Sequence, residues 1–99
     1  LGTNVKTILP WMFSGVRMQT IEIPTSMTYI GKEAFYNCYL LTEVSCRKTT
    51  PPTLDEDVFY NDKDEYNNNL LIKVPYVSGN EYREKWNQYE HKIWGTYEN

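Results

Sequence analysis

An apolar pattern that recurs after 22 or 23 residues restricts the fold of this chain more than any other feature. Residues 5–24 read VKTILPWMFSGVRMQTIEIP, and residues 27–46 read MTYIGKEAFYNCYLLTEVSC. The apolar positions recur first at an offset of 22 and then, after a slip of one residue, at 23, in the pairs Val5/Met27, Ile8/Ile30, Phe13/Phe35, Met18/Leu41, Ile21/Val44 and Ile23/Cys46.

A third, degenerate copy occupies residues 54–75. Leu54 and Phe59 keep the spacing of Ile30 and Phe35, and IKVP at 72–75 repeats IEIP at 21–24. The spacing from Phe to the strand is longer in this copy because a polar stretch, residues 60–69 (YNDKDEYNNN), is inserted. Since loops tolerate insertion at small cost, we expect a surface loop there.

A repeat of this length with apolar-x-apolar segments is typical of leucine-rich-repeat solenoids. One copy cannot bury its own apolar face, so the copies must stack and share a core. Alternation in Ile21-x-Ile23 and Val44-x-Cys46 predicts strands with these side chains inward. We therefore predict an α/β solenoid, a right-handed leucine-rich-repeat coil over residues 1–75. Short parallel strands would alternate with short helical turns, such as GKEAF at 31–35.

Residues 76–99 are predicted to form a C-terminal helical cap. Ser78 and Glu81 fit a capping box that begins a helix ending near Gln88. His91 would follow near the helix C-terminus. Tyr82, Trp86 and Tyr89 share one face of this helix, which we expect to lie over the last coil and close the core. Trp94 returns in a short extended piece, and the alternative is that Trp86 and Trp94 form an aromatic ligand patch.

The N-terminal end has no comparable cap in the sequence, since Leu1 to Asn4 is too short to cover a coil. Exposed apolar ends of solenoids must be covered. We therefore expect further repeats before this chain, as in the C-terminal portion of a longer surface protein, or an edge-to-edge dimer through this repeat.

Composition excludes several function classes. The 99 residues carry a net charge of -3, and the ten Lys and Arg are scattered, which argues against nucleic acid as a partner. There is no apolar run of transmembrane length, so we expect no membrane insertion by this chain. One His and two Cys do not make a zinc site, and no cofactor is predicted.

Cys38 has three readings from the sequence. It could be a small buried apolar residue, half of a disulfide with Cys46, or a reactive thiol. A nucleophile needs a nearby base, and His91 lies outside the repeats. The repeat position therefore favours the buried residue.

Two acidic clusters are candidates for other chemistry. Glycoside hydrolysis needs two carboxylates held at a defined separation, and neither loop cluster provides this. The second cluster could instead hold Ca²⁺ through oxygen ligands. The clusters are Asp55, Glu56 and Asp57, and Asp62, Asp64 and Glu65.

The stretch IEIPTSMTYIGKEAFYNCYLLTEVSC (residues 21–46) resembles the BspA-like leucine-rich-repeat family of bacterial surface proteins. The matching positions are Ile21, Ile23, Pro24, Met27, Ile30, Gly31, Ala34, Phe35, Cys38, Leu41 and Val44. The resemblance implies a non-catalytic, cell-surface or secreted module. It would serve adhesion by binding a host or bacterial surface protein or glycan, with any signal or anchor outside these residues.

Outward positions of the predicted strands are the candidate interaction surface, together with two tyrosines after the helical turn. These residues are Gln19, Thr20, Glu22, Thr42, Glu43, Ser45, Tyr36 and Tyr39. Tyr-rich surfaces bury area at low entropic cost, which suits binding. The alternative is a purely structural C-terminal cap of a longer array whose ligand site lies upstream.

Overall fold

The computed structural model describes residues 1–63, 67 and 69–97. Within these residues, seven strands and one α-helix alternate with turns and two 3₁₀ helices. They are β1 (Thr7–Ile8), β2 (Thr20–Ile23), β3 (Tyr29–Ile30), β4 (Glu43–Cys46), β5 (Thr53–Leu54), β6 (Leu71–Pro75), a 3₁₀ helix (Tyr76–Ser78), α1 (Gly79–Lys85), a second 3₁₀ helix (Asn87–Lys92) and β7 (Ile93–Tyr97).

The strands form two sheets, ordered β1-β3-β5 and β2-β4-β6-β7, and every pairing is parallel. We name three units by their strands: repeat 1 contains β1 and β2, repeat 2 contains β3 and β4, and repeat 3 contains β5 and β6. The register pairs Ile8 with Ile30 and Ile21 with Val44, which confirms both offsets of the sequence pattern. The right-handed sense of the coil stays a prediction.

The segments between the two strands of each repeat are successive turns, so the prediction of short helical turns is wrong. In repeat 2, the N–H groups of Ala34 and Tyr36 bond carbonyls three residues back in the chain. The intervening N–H groups of Phe35 and Asn37 instead donate to repeat 3, each over 2.9 Å. Every second N–H is thus shared with the next repeat, so the continuous bond ladder of a helix cannot form.

The core is built from equivalent apolar positions stacked along the repeats. Ring centroids lie 5.4 Å apart for Phe13 and Phe35 and 5.6 Å apart for Phe35 and Phe59. Ala34 is fully buried in the same core cluster. The rings stack nearly parallel, at interplanar angles of 12° and 18°, which adds to the stabilisation from burial of apolar area.

The C-terminal segment covers the core with aromatic side chains, as predicted. Tyr82, Trp86 and Tyr89 are each at most 1% exposed. Two of them are also tied to the chain before β5: the Tyr82 hydroxyl donates to the Lys48 carbonyl over 2.7 Å, and the Trp86 indole N–H donates to the Pro52 carbonyl over 2.9 Å.

Two predicted details of this helix are wrong. The α-helix ends at Lys85 rather than near Gln88, because Trp86 has non-helical backbone angles and a 3₁₀ helix follows. No capping box forms at Ser78, whose hydroxyl instead donates to the Thr49 carbonyl over 2.7 Å. The N–H of Gly79, the first residue of the helix, donates to the Tyr76 carbonyl of the preceding 3₁₀ turn.

The cap also replaces the hydrogen bonds that a fourth repeat would make. The N–H of Asp57 donates to Gln88 Oε1 over 3.1 Å, and the N–H of Phe59 donates to the Tyr89 hydroxyl over 3.0 Å. In repeat 2, the equivalent N–H groups donate to backbone carbonyls of repeat 3. Strand β7 pairs parallel with β6, as β6 does with β4, with a register shift between Val74 and Pro75.

A substitution at Gly31 would test how closely the backbones of neighbouring repeats approach each other. A Cβ atom at this position would lie 2.5 Å from the Pro10 nitrogen, a backbone atom that cannot move away cheaply. We expect Gly31→Ala to lower the free energy of unfolding by about 1–3 kcal/mol through overpacking, measured by urea denaturation. The control is Gly15→Asn, which should be nearly neutral because Asn37 holds the equivalent left-handed conformation.

A substitution at Tyr89 would test how much the hydrogen bonds of the cap contribute to stability. Tyr89→Phe leaves the buried N–H of Phe59 without its hydroxyl acceptor, and we expect a loss of about 1–3 kcal/mol in the free energy of unfolding. Tyr76→Phe removes a hydroxyl from an exposed ring and should change stability by less than about 0.5 kcal/mol. Equal effects of the two substitutions in thermal or chemical denaturation would contradict this role of the cap.

Candidate functional site

The residues predicted as an interaction surface lie on two surfaces. Four of them project from the outer face of the β2-β4-β6-β7 sheet, and two more immediately precede its strands. These six are Thr20, Glu22, Glu43 and Ser45, with Gln19 and Thr42. The other two, Tyr36 and Tyr39, line a cleft beside the turns.

Several charged and polar side chains on the outer face of the sheet pair with one another. Glu22 pairs with Arg47 over 3.5 Å, and Glu43 pairs with Lys73 over 3.0 Å. The Tyr97 hydroxyl donates to Ser45 Oγ over 2.7 Å. These cross-strand pairs are partly exposed and contribute little stability each. They engage Glu22, Glu43 and Ser45 with neighbouring side chains of the same face.

The cleft beside the turns has a volume of about 500 Å³, within the range typical of ligand sites. It runs across all three repeats, and we call it the turn groove. Its lining combines aromatic, aliphatic and cationic side chains: Trp11, Ser14, Gly15, Val16, Arg17, Tyr36, Asn37, Tyr39, Leu40 and Lys63. Of these, the sequence pattern had singled out only the two tyrosines.

Trp11 is the most prominent groove residue that sequence reasoning missed. The segment around it reads LPWM at residues 9–12, where repeat 2 has GKEA at residues 31–34. The structure gives Trp11 the same left-handed conformation as Glu33 and Asp57 in the later repeats, with φ of 64°, 54° and 53°. Repeat 1 therefore keeps the turn geometry and places an indole where the others place carboxylates.

One wall of the turn groove is a stack of aromatic rings. The Tyr36 ring lies 5.2 Å from Trp11 and 5.7 Å from Tyr60, measured between centroids. The Tyr36 hydroxyl donates to Asp62 over 2.5 Å, and the Asn37 amide donates to the same carboxylate over 3.0 Å. These bonds hold the ring in place, which lowers the entropic cost of binding against it.

The bond between Tyr36 and Asp62 shifts both groups. The hydrogen bond to the carboxylate, together with desolvation and its negative charge, raises the pKa of Tyr36 from 10.0 to about 12. The same bond, helped by Asn37, holds the pKa of Asp62 below its ordinary value of 3.8. The pair therefore stays as a neutral phenol and a carboxylate at neutral pH.

The turn groove also carries two cations. Lys63 Nζ lies 4.5 Å from the centroid of the Tyr39 ring, a cation–π contact. Over the described part of the chain, neither Arg17 nor Lys63 has a carboxylate within ion-pairing distance. Among the described residues, the lining contains no carboxylate and combines apolar, polar and cationic side chains.

The cysteines are structural. Cys38 and Cys46 are both buried free thiols, so the disulfide reading is wrong. The Cys38 thiol donates to the Phe13 carbonyl over 3.1 Å. Burial raises the pKa of both thiols, which opposes the thiolate form that a nucleophile needs.

The predicted acidic clusters do not converge on a metal among the described residues, where no group of three potential ligands occurs. Asp55 accepts from the Tyr29 hydroxyl over 2.6 Å, and Asp57 accepts from Gln88 over 2.5 Å. In the second cluster, Asp62 bonds the turn of repeat 2. Asp64 and Glu65, named for Ca²⁺, lie outside the described residues.

The two tryptophans of the C-terminal segment lie in different environments. Trp86 is part of the cap core, whereas Trp94 on β7 is 59% exposed, so they do not form one ligand patch. His91 lies in the second 3₁₀ helix with its side chain exposed. None of the described helices is long and apolar enough to cross a bilayer.

The stacked repeats of this chain match a known protein family. Residues 1–85 match the family described as BspA type leucine-rich repeat region (6 copies). The chain belongs to this family. Its members form repeat solenoids, are generally non-catalytic and are typically found at the surface or outside the cell. No curated protein and no solved structure matches the chain.

Tyr36 offers a test of the groove wall. In Tyr36→Phe we expect the pKa of Asp62 to rise toward 3.8, followed by NMR titration of the carboxyl carbon. Because the folded-state pKa is lowered, the pair stabilises the fold above that ordinary value, and this stabilisation is lost as the pH falls through the lowered pKa. Tyr39→Phe is the control, and it should leave the Asp62 titration unchanged.

Proposed function

We propose that this chain is a non-catalytic interaction module that binds a protein partner in the turn groove. The observation that carries the proposal is the composition of the groove, in which exposed aromatic rings are combined with two cations. Trp, Tyr and Arg are the residues most enriched among binding hot spots. Trp11, Tyr39 and Arg17 supply all three types around one concave site.

The groove is a better candidate than the outer face of the sheet for two reasons. Its rings are exposed and already positioned, so binding would bury apolar area with little loss of side-chain freedom. On the sheet face, Glu22, Glu43 and Ser45 are already engaged with neighbouring side chains of the chain. A partner there would have to desolvate or rearrange those pairs, which offsets part of the gain from new polar contacts.

The partner that fits the groove is an acidic protein segment with an apolar side chain. The apolar side chain would lie against Trp11 and Leu40, and the carboxylate would lie near Arg17 and Lys63. Charge complementarity of this kind raises association rates and selects among partners. We also propose the finer setting implied by the family, a secreted or surface-attached bacterial protein that serves adhesion.

A purely structural role is the second candidate, and the cap favours it. Gln88, Tyr89 and β7 complete the hydrogen bonds of repeat 3, as a terminating segment must. In that case the ligand site would lie on other repeats of a longer array. The two candidates differ in whether this chain binds alone.

The test is surface plasmon resonance with this chain immobilised and a panel of purified extracellular-matrix glycoproteins passed over it. We expect saturable binding of at least one acidic protein that survives enzymatic deglycosylation. Tyr39→Ala and Arg17→Glu should each weaken it at least about tenfold, or about 1.4 kcal/mol. Glu22→Gln, on the sheet face, is the matched control and should have little effect.

Three results would contradict the proposal. Sensitivity to Glu22→Gln with no response to the groove substitutions would place the site on the sheet. Loss of binding after deglycosylation would make a glycan the ligand. Binding that appears only when further repeats are attached to the chain would favour the purely structural role.

A further inference from the structure

A second cleft lies in the C-terminal segment, between strand β7 and the residues that join β6 to α1. Its volume is about 440 Å³, within the range typical of small-molecule sites. We call it the cap cleft, and its lining includes Tyr76, Asn80, Arg83, Trp94 and Gly95. It shares no lining residue with the turn groove, so the two sites can be tested separately.

Two exposed aromatic rings border the cap cleft. Tyr76 is 73% and Trp94 59% exposed. Over the described part of the chain, neither the Tyr76 hydroxyl nor the Trp94 indole N–H has a hydrogen-bond partner. The backbones that carry the two rings are in close contact, since a Cβ atom at Gly95 would lie 3.1 Å from the Tyr76 Cα. The structure therefore holds both rings at one cleft with polar groups free for a ligand.

A guanidinium group is fixed in the same cleft. Arg83 Nη2 donates to the Ile93 carbonyl over 3.0 Å, and Nη1 donates to Asn80 Oδ1 over 3.2 Å. Both acceptors are uncharged, and no carboxylate among the described residues lies within ion-pairing distance of Arg83. Since a guanidinium has five N–H groups, most of them remain for a ligand. A positioned cation without a counter-charge favours an anionic ligand.

The backbone at Ile93 does not leave groups for another strand to pair with. The Ile93 N–H donates to the Glu90 carbonyl, and the Ile93 carbonyl accepts from Arg83. Strand β7 also lies beyond residue 85, outside the part of the chain that matches the repeat family. The cap cleft is therefore a feature of this segment rather than of the repeat.

The charges around the cap cleft indicate where an anion would lie. Its described lining contains Arg83 and no carboxylate. Arg83 and Trp94 also border a further cleft, which is lined by Glu90 and His91. The Glu90 carboxylate lies 3.8 Å from the His91 ring nitrogen. Because Glu90 would repel an anion in that further cleft, a ligand carboxylate is expected on the cap-cleft side of Arg83.

We propose that the cap cleft binds an acidic saccharide, that is, a pyranose ring that carries a carboxylate. The C–H face of a pyranose fits against the exposed Trp94 ring, because the negative face of an aromatic ring attracts weakly positive C–H groups. The carboxylate would accept hydrogen bonds from Arg83. The ring hydroxyls would bond the Asn80 amide and the Tyr76 hydroxyl.

A saccharide fits this cleft better than an acidic peptide does. The polar groups of the cleft include an amide, a phenol and an indole N–H, and a pyranose offers several hydroxyls to pair with them. An aspartate or glutamate side chain would satisfy the guanidinium alone. This inference goes beyond the proposed protein binding in the turn groove and does not depend on it.

The test is an NMR titration of the isotope-labelled chain with sialyllactose, followed through the indole N–H signals. The three tryptophans lie in the turn groove, the cap core and the cap cleft, so each signal reports on a different part of the chain: Trp11, Trp86 and Trp94. We expect a saturable shift of the Trp94 signal. Lactose and the methyl ester of sialyllactose lack the negative charge and should bind at least about tenfold more weakly.

A hyaluronan tetrasaccharide, whose acid is glucuronate, is the second probe. The tighter of the two ligands identifies the source of the carboxylate, a sialic acid or a uronic acid, and saturable binding of either supports the proposal.

Three variants locate the saccharide, with saturation transfer to the sugar protons as the readout. Trp94→Ala and Arg83→Gln should each weaken binding at least about tenfold. Trp11→Ala removes an exposed indole from the turn groove, and as the matched control it should leave saccharide binding unchanged. Arg83 also bonds Ile93, so the urea midpoint of each variant is measured. The comparison of acid with methyl ester tests the role of charge without any variant.

Four results would overturn the inference. They are the absence of a saturable Trp94 shift with both acids, equal affinity for acid and methyl ester, loss of saccharide binding in Trp11→Ala, and an equal Trp94 shift with a blocked glutamate peptide at the same concentration. The last result would make an acidic peptide the ligand. Protein binding in the turn groove is judged separately by Tyr39→Ala, which should not affect saccharide binding.

Discussion

The sharing of every second turn N–H with the next repeat determines the spacing of the whole structure. Because the bonds from Phe13 and Phe35 run forward to the next turn, each repeat is held at hydrogen-bonding distance from its neighbour. This distance stacks the phenyl rings at 5.4 and 5.6 Å in the core. It also leaves no room for a side chain at Gly31, where the backbones of two repeats meet.

The same bonds give the array a direction. At one end, side-chain oxygens of Gln88 and Tyr89 take the place of backbone carbonyls and end the pattern. In repeat 1, the turn N–H groups donate forward to repeat 2. A single geometric rule thus explains how a short, irregular C-terminal segment caps the array.

Stacking also separates a polar face from an aromatic one. On the sheet, neighbouring strands bring Glu43 and Lys73 together, so charges that look available in the sequence are paired. On the turns, the same stacking places Trp11, Tyr36 and Tyr60 in a row and opens the turn groove beside it. The groove is therefore a consequence of the repeat, although its cations, Arg17 and Lys63, do not belong to the repeat pattern.

The sequence by itself determined the repeat, its register and the buried positions, because stacked copies must place equivalent residues such as Ile8 and Ile30 side by side. It also indicated the aromatic face of the cap. Only the tertiary structure decided the turn conformation, since a pattern of apolar residues does not show whether an N–H bonds within its own turn or to the next repeat. Likewise, the sequence pattern does not show contacts between residues that are far apart in the chain. Examples are the hydrogen bond from Ser78 to Thr49 and the cation–π contact of Lys63 with Tyr39.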